Sequence, residues 1–241
     1  MNTTRRISVL LIGFTLAIGS RAAAQGMTEG KIFISVNGGA QTQSRSVDNS
    51  FSIPVYSQTA TVATTTTIPS GGLFDLSAGY KVTPSIGVAI GFSTFSVTGA
   101  TAGAASVPSP IFFNRPAAVT IPENPADRKD RSVYLLLVGF VPVTDKVDVA
   151  LSIGPSFTRV QQSLITSVSI PAGTQNVNPT IQTQSGTAKG VNVGVDLTYM
   201  FVKQVGAGAF MRYNGGSVDL DSAPGLKAGG FQIGIGGRLR F

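Results

Sequence analysis

Apolar and polar residues alternate along two segments near the end of the chain. In residues 229–241 one face is aliphatic and aromatic: Phe231, Ile233, Ile235, Leu239 and Phe241. The opposite face carries glutamine, glycine and arginine. Residues 190–201 repeat the pattern, with Val193 and Val195 opposing Gly194 and Asp196. A period of two predicts strands, and about ten residues is the length that a tilted strand needs to cross a bilayer.

Six further segments have the same character. With the two already described, the predicted strands are residues 31–43, 73–82, 86–97, 132–143, 147–160, 190–201, 205–213 and 229–241. Residues 132–143 are apolar on both faces, so alternation leaves their facing open. We expect Tyr134, Leu136, Val138 and Phe140 to point outward.

The connections between these strands alternate in length. Turns of about three residues at positions 83, 144 and 203 alternate with connections of some 15 to 30 residues, as in bacterial barrels that have short periplasmic turns and long extracellular loops. Open sheet edges are not tolerated in lipid, so the strands must close on themselves. The chain is therefore predicted to be all-β: an eight-stranded antiparallel up-and-down transmembrane β-barrel.

The long connections differ in character. Residues 42–72 keep some alternation and are predicted to form a hairpin that projects beyond the first two strands. Residues 161–188 alternate weakly, which suggests that strands continue above the membrane. Residues 98–130 contain five prolines, which we expect to prevent a continuous ladder there. Residues 214–228 are predicted to be a loop.

The N-terminal region has the features of an export signal. Arg5 and Arg6 precede an apolar stretch that ends before Ala22-Ala23-Ala24, a small-residue cleavage box. We therefore divide the chain into a signal peptide, residues 1–24, and one barrel domain, residues 25–241. Loss of Arg5, Arg6 and Arg21 lowers the net charge from +7 to +4.

Composition excludes several classes of function. There is no cysteine, so the chain has neither disulfides nor a thiolate metal site. No apolar run after the signal peptide approaches the 18 residues of a transmembrane helix. The basic residues do not cluster with aromatic ones, which argues against binding to nucleic acid. Asp219 and Asp221 are too few for a calcium site, so no metal or cofactor is predicted.

The chain resembles the family of small outer-membrane β-barrels that includes the transmembrane domain of OmpA and the OmpX-type proteins. The matching features are the signal peptide, residues 79–84 (Gly-Tyr-Lys-Val-Thr-Pro), the turn at residues 143–146 and the terminal Arg240-Phe241. The resemblance implies that the barrel-assembly machinery recognises Phe241, and that the protein lies among outer-membrane lipids of the Gram-negative type. We expect no peptidoglycan-binding domain after the barrel. Because the sequence has no tryptophan, the aromatic girdle is expected to use residues such as Tyr80, Tyr199, Phe201 and Phe241.

Polar residues on inward positions are the candidate site. Asp196 and Arg212 lie at similar distances from the turn at Lys203 and are expected to sit side by side in the lumen, with Asp75 and Arg238 joining them. The pair could be a gate or a ligand contact, but a buried ion pair that fills a narrow interior is favoured. The inward glycines at positions 190, 194, 206, 208, 234 and 236 could leave a small cavity or channel, but they are expected to lie under Phe33 and Phe210.

The chain has no histidine, the general base on which outer-membrane lipid acylases, deacylases and phospholipases depend, so we predict that it is not an enzyme. The favoured function is a structural or surface-interaction barrel with a largely plugged lumen, whose loops could meet an extracellular partner. The alternative is a narrow channel or transporter for small or apolar solutes. A secreted soluble β protein is the third possibility, disfavoured by the outward aliphatic rows.

Overall fold

The computed structural model describes residues 30–109, 112, 115–171 and 176–241. The predicted signal peptide lies outside the described residues. Within them the chain forms ten strands and no helix long and apolar enough to cross a membrane. The strands are β1 (Ile32–Gln41), β2 (Arg45–Val55), β3 (Gln58–Ile68), β4 (Gly71–Lys81), β5 (Ile86–Val107), β6 (Ala117–Pro142), β7 (Val147–Ser169), β8 (Asn178–Met200), β9 (Val205–Leu220) and β10 (Ala223–Arg240).

Eight of these strands, β1 and β4 to β10, close into an antiparallel ring. Each pairs with its neighbours in the ring, and β1 closes it against β10, with Phe33 opposite Arg240 and Gln41 opposite Gln232. The predicted eight-stranded barrel is confirmed. The three short turns, between β4 and β5, β6 and β7, and β8 and β9, lie at one end, which we call the turn end.

The remaining strands, β2 and β3, form the hairpin that was predicted for residues 42–72. β3 pairs with the far part of β5, from Thr61 opposite Ser106 to Thr67 opposite Ala100. β4 pairs with the near part of β5, from Leu73 to Lys81. β3 therefore continues the line of β4, and the hairpin extends the barrel wall away from the turn end.

Two predicted loops are wrong, because the structure continues the strands through them. β5 and β6 pair up to Val107 opposite Ala117, with one register shift between Thr101 and Gly103. The pairing of β6 with β7 stops at Arg128. Beyond that point β6 has a free edge, where the prolines of residues 117–127 are tolerated. Residues 214–228 are also mostly strand. Residues 161–169 extend β7 and residues 178–188 extend β8, as predicted.

Alternation sorts the side chains into an outer and an inner face. The outer face carries exposed aliphatic residues all around the ring, among them Ile32, Val36, Leu76, Ile90, Leu135, Leu137, Ile153, Val193, Leu197, Ile233 and Ile235. The inner face carries buried side chains. Near the turn end Phe33, Leu136, Val138, Phe140 and Ala150 pack together.

The expected outward facing of Tyr134, Leu136, Val138 and Phe140 is wrong. These four side chains are buried in the lumen, and Val133, Leu135, Leu137 and Val141 are exposed instead. The register explains the choice, because Tyr134 lies opposite Gly91. A Cβ atom at Gly91 would come within 2.1 Å of the Tyr134 ring, so the glycine provides the space for the inward tyrosine.

The region beyond the barrel, which we call the extension, has apolar cores of its own. The extension comprises β2, β3 and residues 97–107, 117–127, 161–169, 178–186 and 214–228. One core joins Val160, Leu164, Val218, Leu220 and Leu226 above the lumen. A second joins Val62 on the hairpin to Val107, Ile121 and Ile165. The long connections are therefore packed structure.

Candidate functional site in the barrel lumen

The polar side chains of the lumen come from strands on all sides of the ring. Asn37 lies on β1, Asp75 on β4, Tyr134 on β6 and Arg212 on β9, each at an inward position of its strand, and each is buried. Polar groups removed from water are stable only when they are hydrogen-bonded or paired. Their geometry shows how this requirement is met.

Asp75 is the centre of the first group. Its Oδ2 atom lies 2.6 Å from Nη2 of Arg212 and accepts a hydrogen bond from the hydroxyl of Tyr134. Its Oδ1 atom accepts a hydrogen bond from Nδ2 of Asn37 at 2.8 Å. The carboxylate therefore meets three strands besides its own, which ties β4 to β1, β6 and β9 across the lumen.

Arg212 is held on every side. Its Nη1 donates to the Tyr134 hydroxyl at 2.7 Å, and its Nε donates to Oε1 of Gln232 at 2.8 Å. The guanidinium carbon lies 5.0 Å from the centre of the Tyr134 ring and 4.7 Å from that of Phe210. Both distances fall within the range of cation–π attraction. The charge thus has one carboxylate partner and two aromatic faces.

Arg238 and Asp196 form the second group, nearer the turn end. The Arg238 guanidinium makes a two-pronged contact with the Asp196 carboxylate, with Nε donating to Oδ1 at 3.1 Å. Its Nη1 donates to Oδ1 of Asn37 at 2.6 Å. Asn37 therefore bridges the two groups, and all four predicted lumen residues belong to one network.

The predicted side-by-side pair of Asp196 and Arg212 is wrong. In the register of β8 and β9, Asp196 lies opposite Phe210, whereas Arg212 lies opposite Gly194, two residues farther from the turn. Arg212 consequently reaches Asp75, and Asp196 reaches Arg238. A Cβ atom at Gly208 would come within 2.8 Å of Nε of Arg238, so this glycine gives the arginine its path across β9.

Sequence reasoning missed several members of the lumen. Asn37, Tyr134 and Gln232 complete the network, and two further ion pairs lie above and below it. Arg240 contacts Asp148 at 2.5 Å near the turn end, and Arg128 contacts Asp130 at 2.9 Å toward the extension. The strand pattern already places Asp148 and Arg240 at inward positions and leaves only their pairing unpredicted, whereas Asp130 lies in the segment 98–130 that is predicted to be a loop.

Charge in the lumen is compensated in pairs, with two exceptions among the described residues. Lys81 lies 4.5 Å above the Phe140 ring without an ion-pair partner. Arg45, where the hairpin begins, donates one hydrogen bond to Gln43 and leaves Nη1 without a partner. Burial and the nearby charge of Arg128 lower the pKa of Arg45.

The expected covering of the inward glycines by aromatic residues is present at Gly234, whereas Phe33 covers a glycine outside the predicted set. Phe210 lies over Gly234, and Phe33 lies over Gly79. The space left between the network and the apolar side chains near the turn end is a cavity of about 80 Å³. The described residues contain no group of three acidic, histidine or cysteine side chains that could hold a metal ion. The arrangement is suited to holding strands together.

The closed ring, its buried inward side chains and its aliphatic outer wall define a class of fold, the eight-stranded β-barrel of outer-membrane proteins. No protein-family model matches the chain, and no match was found among curated proteins. Solved structures do match. The chain is similar to the outer membrane protein OprG from Pseudomonas aeruginosa, with 10% identity over 88% of this chain and 96% of that one, and a TM-score of 0.51.

Two other solved barrels are similar at lower TM-scores. Neisserial surface protein A matches with 15% identity over 87% of this chain and 97% of its own, at a TM-score of 0.47. The N-terminal β-barrel domain of OprF from Pseudomonas aeruginosa matches with 13% identity over 88% and 100%, at 0.39. The likeness to OprG establishes the fold, and the expected resemblance to small outer-membrane barrels is confirmed at that level.

Proposed function

We propose that the protein is an integral barrel of a Gram-negative outer membrane, that its lumen is plugged, and that it acts through its extracellular surface. The observation that carries the proposal is the lumen network, in which Asp75, Arg212, Asp196 and Arg238 join opposite walls of the barrel. Such crossing contacts support closure of the lumen to solutes.

The outer wall supports the membrane location. Exposed aliphatic side chains surround the ring, as expected of a surface in contact with lipid chains. At the turn end Tyr80, Tyr199, Phe201 and Phe241 are exposed, which suits the interfacial position that aromatic residues prefer in membranes. In this orientation the turn end faces the periplasm and the extension faces the outside of the cell.

Conductance of the refolded protein in a planar bilayer tests the plugged lumen. We expect no steady single-channel openings for residues 25–241, because the network and the packed Phe33, Phe140 and Phe210 occupy the lumen and are proposed to close it. A change in mobility between unheated and heated samples on a denaturing gel shows beforehand that the protein is folded. Steady openings of the folded protein would overturn the plugged lumen while leaving the barrel intact.

One observation favours the alternative, a narrow channel for small or apolar solutes. The cavity near the turn end is lined by both apolar and polar side chains, including Phe33, Leu136 and Arg238. Uptake of a small apolar solute by protein-containing vesicles, above that of protein-free vesicles, would favour this alternative over the plugged barrel.

The extension supports interaction with an extracellular partner. Its long strands and its two apolar cores hold the outermost residues in a defined arrangement. The sequence lacks histidine, which supports a role without catalysis. Residues 45–68 can be removed and the chain rejoined by a short linker. This variant should still form the barrel. If the hairpin carries the contact, intact cells that display the variant should no longer bind the surface ligand.

Export and assembly complete the proposal. Residues 1–24 are proposed to be removed on export, and the intact mass of the membrane protein tests cleavage before Gln25. Phe241 follows β10 and exchanges backbone hydrogen bonds with Ile32 of β1, so it lies at the seam where the barrel closes. We propose that the barrel-assembly machinery recognises its exposed aromatic side chain.

A further inference from the structure

Four basic residues lie close together on the outer wall of the barrel. Lys129 and Arg131 are on β6, Arg159 is on β7 and Lys189 is on β8. All four occupy outward positions, and Arg131, Arg159 and Lys189 are exposed. We call these four residues the outer basic patch. It lies on the opposite face of the wall from the lumen network.

The register of the strands brings like charges together. Arg131 of β6 lies directly opposite Arg159 of β7. Lys189 of β8 lies opposite Phe157, one outward position from Arg159 on the adjoining strand. Side chains directly opposite in an antiparallel pair have Cβ atoms about 5 Å apart, and like charges there are destabilising. An arrangement of this kind needs a compensating negative charge.

The described part of the chain does not supply that charge. None of the four residues forms an ion pair within the described residues, where the four carboxylates that do form ion pairs, those of Asp75, Asp130, Asp148 and Asp196, lie on the inward face. Asp127, an outward residue of β6 near the patch, accepts a hydrogen bond from Thr98 and forms no ion pair with the patch. The next outward residues on β5 are Thr94 and Ser96, which are uncharged.

The patch borders the aliphatic wall on its extension side. The outward residues next to it toward the turn end are Val133 on β6, Phe157 on β7 and Val191 on β8, and all three are exposed. Arginine and lysine at such a border extend their apolar stems along lipid chains and place their charges among the headgroups. A further basic residue, Lys227 on β10, lies in line with the patch. Ser217 on β9 separates the two lysines, because it lies opposite both Lys189 and Lys227.

We propose that the outer basic patch binds the phosphate groups of membrane lipids in the outer leaflet. Two guanidinium groups side by side suit a phosphate, because each can donate two parallel hydrogen bonds to its oxygens. The adjoining aliphatic residues contact the acyl chains of the same lipid. The inference rests on the proposed membrane location, since only an inserted barrel presents this face to lipid.

The test uses the folded mature protein in neutral phosphatidylcholine vesicles, with or without phosphatidic acid, which carries a phosphate monoester. Phosphatidic acid should raise the urea midpoint of unfolding, because a ligand that binds only the folded state stabilises it. Diacylglycerol, with the same acyl chains and no phosphate, should not. The double variant Arg131→Gln/Arg159→Gln should lose most of the rise in the urea midpoint that phosphatidic acid causes. The control Lys146→Gln/Lys203→Gln removes two positive charges from the exposed turns and should keep that rise.

A second readout separates the patch from general charge effects. In vesicles without phosphatidic acid the Arg131→Gln/Arg159→Gln variant should unfold at a higher urea concentration than the wild type, because it lacks the repulsion between the two arginines. The proposal would be overturned if this variant had a lower urea midpoint than the wild type in vesicles without phosphatidic acid. It would also be overturned if phosphatidic acid raised the urea midpoint equally in both double variants. Equal stabilisation by inorganic phosphate would do so as well, by assigning the patch to a soluble anion.

Failure of the patch can be distinguished from failure of the proposed function. Insertion into neutral vesicles, followed by the gel-mobility change on heating, depends on the aliphatic wall and requires no anionic lipid. A wild-type protein that does not insert refutes the membrane location. A protein that inserts and shows no response to phosphatidic acid refutes the outer basic patch alone.

Discussion

Replacement of Asp75 by asparagine removes the charge at the centre of the lumen network and keeps the shape of the side chain. Arg212, which is only 8% exposed, then has no carboxylate partner. Two unit charges about 4 Å apart attract each other by roughly 4 kcal/mol at the effective dielectric constant of about 20 that describes protein sites. Removing one partner of a buried pair costs about 3–5 kcal/mol.

Two contacts moderate this loss. The rings of Tyr134 and Phe210 still face the guanidinium, and Gln232 still accepts from Nε. We therefore expect Asp75→Asn to lower the free energy of unfolding by about 3 kcal/mol, near the lower end of the range for buried pairs. Urea unfolding in lipid vesicles, followed by gel mobility, measures the change.

The matched control is Asp145→Asn, in an exposed turn, which should change the free energy of unfolding by less than about 0.5 kcal/mol. The double variant Asp75→Asn/Arg212→Gln removes both charges and should be more stable than Asp75→Asn alone, because no unpaired guanidinium remains. If Asp75→Asn is no more destabilising than the control, the ion pair does not hold the barrel together and the reasoning fails.

Two further predictions follow from the packing of β6. Gly91→Ala should destabilise the barrel by about 1–3 kcal/mol, because the new methyl group overlaps the Tyr134 ring. Gly237→Ala is the control and should not destabilise the barrel, because the space around its Cβ is open. Urea unfolding of both variants measures the difference. The sequence has no tryptophan, so single substitutions report on facing. Brominated lipid should quench the fluorescence of Val141→Trp, whose side chain faces outward, and should not quench that of Phe140→Trp. The opposite result would show that Phe140 faces the lipid.

Alternation was sufficient to predict the barrel because most strands have only one apolar face. Val193 and Val195 opposite Gly194 and Asp196 leave a single sensible facing in lipid. Residues 132–143 are apolar on both faces, since the lumen near the turn end is itself an apolar core. Their facing is decided by Gly91 across the ladder, and a single strand carries no information about that neighbour.

The membership of the lumen network could be predicted more readily than its pairing. Inward position identifies Asp196, Arg212, Asp75 and Arg238 one strand at a time. Which acid meets which base depends on register and on the reach of side chains across the lumen, and a change of two residues moves Arg212 from Asp196 to Asp75. Asn37 connects the two groups, but an asparagine on a strand gives no signal of that role.

The strands beyond the barrel were hardest to predict because proline normally argues against a central strand. The argument fails for β6 beyond Arg128, where one edge has no partner and a missing N–H costs no ladder hydrogen bond. Sequence shows that Pro122 and Pro125 are present, but it does not show which edge of the strand lacks a neighbour.

In the orientation proposed above, the length of β6 sets how far the protein would reach from the membrane. Of its 26 residues, about ten suffice to cross the hydrocarbon region, which leaves about 16 outside. At about 3.3 Å per residue they span roughly 50 Å along the strand, or roughly 40 Å of height at a tilt of about 40°. In the proposed orientation, a molecule approaching the bacterium would first meet this surface roughly 40 Å beyond the hydrocarbon region.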